Sequence, residues 1–91
     1  MKRSSKYVGL DVHQAITVMT IRGDTGRGLA RTTLPTEAAA LRAYFRGIRG
    51  PMHVAFEEGT QAQWLHDLLI PLVHEVVVCH RRRAESAGQQ S

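Results

Sequence analysis

Two acidic residues stand where acids are costly. Asp11 lies within residues 7–13 (YVGLDVH), an alternating run, and Glu57 ends the short apolar run Met52–Glu57 (MHVAFE). Aspartate is depleted in strands, and a buried carboxylate without a partner is expensive. Two carboxylates about 5 Å apart at an effective dielectric near 20 repel by about 3 kcal/mol. Protonation of one acid, or a divalent cation, relieves that repulsion. Hard cations such as Mg²⁺ (or Mn²⁺) take oxygen ligands and accept phosphate oxygens beside them. A pair of such ions activates a water and stabilises the leaving oxygen in phosphodiester cleavage. The chemistry open to Asp11 and Glu57 together is therefore metal-dependent attack on a phosphodiester. The alternative is structural: Asp11 closes a turn and Glu57 caps the following helix. Glu58 competes with Glu57, but strand parity puts it on the opposite face, where it favours the start of the next helix electrostatically. His13 follows Asp11 closely and is either a phosphate contact or a surface residue at a strand end.

The elements around the acids must bring them together. In the first run Val8, Leu10 and Val12 share one face, as a strand requires. Residues 15–22 (AITVMTIR) are rich in β-branched side chains and predict a second strand. Gly23-Asp24-Thr25-Gly26 is a turn signal, after which residues 29–34 predict a third strand in a hairpin with the second. Thr36, after Pro35, can cap a helix on which Ala38, Leu41, Phe45 and Ile48 fall at helical spacing; Gly47 and Gly50 loosen the chain and Pro51 closes the helix off. Thr60 and Gln63 match a capping box. Trp64, Leu65, Leu68, Leu69 and Leu72 form the buried stripe of a second helix that Pro71 ends near Ile70. Glu75–Cys79 (EVVVC) is almost wholly apolar, as a strand buried on both faces should be.

A three-stranded meander followed by right-handed crossovers predicts an α/β fold with a mixed five-stranded sheet of order 3-2-1-4-5 and two helices. Strands one, four and five are then parallel. This is the RNase H-like arrangement, one candidate among several. Asp11 and Glu57 then lie on neighbouring strands about 4.8 Å apart and reach one edge of the sheet. Parity agrees: Gly9 shares a face with Asp11, and His53 and Ala55 share one with Glu57.

With 91 residues the chain has room for one domain. Residues 1–5 read as a disordered basic arm, 6–80 as the domain and 81–91 as a basic and polar tail without apolar periodicity. Cys79 is the lone cysteine, no signal peptide is present, and the apolar runs are too short to span a bilayer, so the expected compartment is the cytoplasm and no membrane partner is expected. Lys and Arg number 12 against 8 Asp and Glu, a net charge of +4 that favours anionic partners such as nucleic acid. Lys2, Arg3, Lys6, His13, Arg81, Arg82 and Arg83 are the candidate nucleic-acid contacts, against the alternative of solvated surface. Aromatic residues are too few for a base-stacking platform. Asp24-Thr25-Gly26 resembles an aspartic-protease triplet, but Arg27 follows it and Gly23 and Gly28 frame an ordinary hairpin. The same glycines lack the G-K-[ST] ending of a phosphate loop. His66, His74, Cys79 and His80 lack zinc-finger spacing.

The motifs carry a family resemblance. GLDVH around Asp11, HVAFEEGTQAQWLHDLL around Glu57 and then VVVC resemble the amino-terminal domain of the insertion-sequence-110 transposase family, called DEDD after its four acids. The resemblance covers residues 7–83. GLDV alone is shared with sugar-kinase-like ATPases; the second block at its proper distance supplies the specificity. The resemblance implies a RuvC-like (RNase H-like) domain that binds Mg²⁺ and acts on DNA, excising and inserting its own mobile element under the guidance of a structured RNA. It makes Asp11 the first acid and Glu57 the second. It places the third and fourth in a K-x-D-x-x-D segment after the fifth strand, whereas AESAGQQS follows Arg83 here. A further domain with a nucleophilic serine also has no counterpart. The expectation is a fragment or decayed copy, incomplete at the carboxyl end and inactive alone. A non-catalytic nucleic-acid-binding remnant is the alternative. Without a closing helix the sheet is expected to expose apolar surface, which favours a homo-oligomer.

Overall fold

The computed structural model of the chain describes residues 5–25 and 28–80. β1 (Lys6–Val12), β2 (Ile16–Gly23) and β3 (Gly28–Pro35) form an antiparallel meander. α1 (Ala38–Arg46) then crosses to β4 (Met52–Glu57), which pairs in parallel with β1, and α2 (Ala62–Leu69) crosses to β5 (Glu75–Cys79), which pairs in parallel with β4. The result is an α/β fold with a five-stranded mixed sheet in the order β3-β2-β1-β4-β5. Both the order and the strand directions agree with the sequence pattern.

Period-two alternation decides which side chains meet the helices. Val8 and Leu10 of β1, Met19 and Ile21 of β2, and Met52, Val54 and Phe56 of β4 are buried on one face. Leu41 and Phe45 of α1 and Leu65, Leu68 and Leu69 of α2 close over them as one cluster. Both helices contribute to this single core, so the other face of the sheet is open. Tyr7, Ile16 and Val77 stand there 46%, 46% and 44% exposed. The apolar run of β5 therefore corrects the expectation of a strand buried on both faces: it is an edge strand covered on one side, with Val76 and Val78 half-buried and Val77 outward. No helix among the described residues is long and apolar enough to cross a membrane.

The helix starts also differ from the sequence reading. Thr36 does not cap α1; Glu37 occupies that position in extended conformation without a side-chain bond. The Thr36 hydroxyl instead donates to the His13 carbonyl at 2.7 Å and lies 2.9 Å from the hydroxyl of Thr17, the buried polar residue of the core. The long-range partner offers a closed hydrogen-bond pair inside the fold, which a cap does not. Thr60 and Gln63 form no capping box either: Gln61 is the cap residue, and the Gln63 amide donates to Asp67 at 3.0 Å along the helix. α1 ends at Gly47 before reaching Pro51, and Gly50 turns the chain with a φ of 90°, a conformation natural to glycine. Trp64 is 39% exposed, because Leu65, Leu68 and Leu69 occupy the inward face of α2 and Trp64 lies about 100° of helical rotation to one side.

Thr36→Val is expected to cost about 1–3 kcal/mol, since it leaves the Thr17 hydroxyl buried without its partner. A urea midpoint equal to that of the wild type would show that the hydroxyl pair adds nothing.

Candidate metal and nucleic-acid site

β1 and β4 run side by side, with Gly9 opposite Ala55 and Leu10 opposite Phe56. One step further along both strands come Asp11 and Glu57, each alternating away from the buried side chains of its strand. The two acids therefore share the open face, at the carboxyl ends of neighbouring parallel strands. Both line a cleft of about 790 Å³ together with His13, Gln14 and Glu58. Both also line a shallower depression of about 420 Å³ on the sheet face, with Thr20, Arg31, Ala55 and Cys79.

Solvent reaches this pair. The Asp11 side chain is 73% exposed, which corrects the expectation of a carboxylate in costly burial: the helices cover only the other side of β1. Water screens the repulsion accordingly, from about 3 kcal/mol to about 1 kcal/mol at a strand spacing of about 5 Å. His13 Nε2 sits 3.3 Å from Asp11 Oδ2, within the same cleft. The Glu57 side chain has no hydrogen bond or ion pair among the described residues. Glu58 is engaged elsewhere: its Oε2 lies 3.0 Å from His80 Nδ1, and its backbone N–H donates to the Cys79 carbonyl at 2.9 Å. Of the two adjacent glutamates, Glu57 is thus the one that shares the face of Asp11.

Of the predicted nucleic-acid contacts among the described residues, His13 lines this cleft and Lys6 does not. Lys6 begins β1, so it lies about 17 Å along the strand from Asp11. Its ammonium donates to the Arg49 carbonyl at 2.6 Å, tying the start of β1 to the loop before β4. Lys2, Arg3, Arg81, Arg82 and Arg83 lie outside the described residues. Arg31 and Thr20 are cleft residues that sequence reasoning passed over. Parity along β3, combined with the hairpin register, was the signal that could have found them: Arg31 pairs with Thr20, which pairs with Gly9. At the other end of the open face His53 Nδ1 lies 2.8 Å from Glu75 Oε1. The His53 ring stacks on Tyr7 at 5.0 Å and meets His74 edge-on at 5.2 Å.

Among the described residues no group of three or more His, Cys, Asp and Glu side chains could hold a metal ion. Two hard oxygen donors open to water do suit Mg²⁺ or Mn²⁺, which use one or two carboxylates and complete their shells with water and substrate phosphate. A tetrahedral zinc site of nitrogen and sulfur ligands does not fit this donor set. Comparison with models of known protein families gives no match for this chain, and comparison with curated proteins gives none.

Proposed function

We propose that this chain is the amino-terminal part of an RNase H-like DNA transposase in which Asp11 and Glu57 hold the catalytic divalent cation. The observation that carries the reading is the placement of these two acids on one face of adjacent parallel strands, lining one cleft. The sheet order β3-β2-β1-β4-β5 and the motifs around Asp11 and Glu57 support it. When bound, Mg²⁺ or Mn²⁺ supplies an activated water and charge neutralisation at the leaving oxygen. The chain's own part is to present two oxygen donors, to keep them rigid on the sheet, and to set His13 beside Asp11 at the cleft wall. DNA is the proposed substrate, a structured RNA of the same element the guide, a homo-oligomer the working unit and the cytoplasm the compartment. In this reading Asp11 and Glu57 are the first two of the family's four acids.

One observation bears on a second reading, a nucleic-acid-binding remnant without catalysis: among the described residues no group of three or more His, Cys, Asp and Glu side chains converges. Mn²⁺ titration followed by electron paramagnetic resonance separates the two. Asp11→Asn and Glu57→Gln should each weaken Mn²⁺ binding beyond the ~10–100-fold typical of losing an outer-sphere partner. Binding indifferent to both changes, together with salt-sensitive DNA binding that also ignores them, would establish the remnant instead.

A further inference from the structure

One guanidinium shares the depression with the acid pair. Arg31 is the only Lys or Arg among the described residues that line either cleft containing Asp11 and Glu57. It is exposed, and its side chain has no hydrogen bond or ion pair among the described residues. A charged residue on an edge strand ordinarily guards against edge-to-edge pairing. Two features of the surroundings give this one more to do.

The first is its row across the sheet. Arg31 pairs with Thr20, Thr20 with Gly9, and Gly9 with Ala55. No side chain larger than threonine stands in this stretch, and a Cβ added at Gly9 would meet nothing within 4 Å. The depression of about 420 Å³ runs over these residues from Arg31 to the acids. The second is its walls. The stacked rings of Tyr7 and His53 rise on one side, two residues along each strand, and Asp11 and Glu57 on the other. The walls are thus about 13 Å apart between backbones, and less between side chains. A double helix, whose major groove alone is ~12 Å wide, does not enter such a trough. A single strand does. From β3 to β1 is two strand spacings, about 10 Å, a span that one or two nucleotides cover.

We propose that Arg31 is a positioning residue that binds a phosphate of a single nucleic-acid strand lying over Gly9 and Ala55, so that a neighbouring phosphate comes to Asp11 and Glu57. This rests on the reading of the acid pair as a cation site. The guanidinium offers a planar fork of donors to phosphate, and its contact with one phosphate fixes the register of the next.

The test uses the full chain and a fluorescent oligothymidylate, with anisotropy read over a series of salt concentrations and Mn²⁺ binding measured in parallel. Arg31→Ala should weaken oligonucleotide binding about tenfold, as for one charge-assisted contact. It should also lower the log–log salt slope by about 0.7, while Mn²⁺ affinity stays at the wild-type value. Arg31→Lys should restore the slope, and Gly9→Leu, whose side chain enters open space, should block the strand while keeping the thermal transition and Mn²⁺ binding. A guard residue would not move the salt slope. Wild-type affinity and slope in Arg31→Ala, with Mn²⁺ binding intact, overturn the proposal and leave the acid pair standing. Absence of oligonucleotide binding by the wild type overturns it as well, as does a self-association through this face that Gly9→Leu abolishes and that excludes the strand. Absence of Mn²⁺ binding by the wild type removes the acid-pair reading and this proposal with it.

Discussion

Phe45→Ala is expected to remove most of the stability of the chain and bring it to the margin of unfolding at about 25 °C. Phe45 is 1% exposed and projects from α1 into the cluster that joins both helices to the sheet. Removing the ring costs the transfer free energy of its carbons and leaves a cavity, together about 3–5 kcal/mol. Domains of this size sit toward the lower end of the usual range of about 5–15 kcal/mol. No disulfide offsets the loss, because Cys79 is the lone cysteine. Far-UV circular dichroism and a urea titration check the expectation. Arg46→Ala, one residue on and exposed, is the control and should stay within about 0.5 kcal/mol of the wild type. A Phe45→Ala midpoint as high as that of the control would mean that α1 does not help to hold the sheet.

The second large effect is a reversal of stabilities on adding Mn²⁺. Asp11 and Glu57 share a face on neighbouring strands, so in metal-free buffer each repels the other by up to about 1 kcal/mol when screened by water. Asp11→Asn and Glu57→Gln remove that repulsion, and both variants should match or slightly exceed the wild type in thermal midpoint. A ligand that binds only the folded state adds RT ln(1 + [L]/Kd), about 2.7 kcal/mol at a hundredfold excess over Kd. The wild type should therefore rise by several degrees with Mn²⁺ and overtake both variants, which should barely respond. Differential scanning calorimetry with and without the ion gives the answer. If wild type and variants rise together, the ion binds elsewhere and the two carboxylates do not form a site.

Period-two patterning was readable because it is enforced residue by residue. In β4, Met52, Val54 and Phe56 must turn inward, and the strand bounds emerge as the pattern placed them. The same parity carried Asp11 and Glu57 to one face. What escaped were features decided by partners distant in sequence. Thr36 looks like a cap, yet its hydroxyl is claimed by His13 and Thr17 across the fold. The valines of β5 look doubly buried, yet burial depends on what covers each face, and a strand's own residues do not encode that. Arg31 was only one arginine among several in the sequence. Its place beside the acids follows from two hairpin registers in succession, and the register shift between Ile21 and Arg22 shows how easily a one-residue slip would have turned it away.

The parallel union of β1 and β4 also has a kinetic consequence. β1, β2 and β3 meet through short turns, so the meander gathers from contacts close in sequence. β1 reaches β4 only after the rest of the meander and α1 have been threaded between them. Such distant pairings bear the loop-closure entropy before any contact rewards it, and they set the pace of folding. Interactions that form after the rate-limiting step retard escape from the native state more than they hasten arrival. The two carboxylates thus become neighbours late, and the cation proposed to sit between them would act as a latch on the finished sheet.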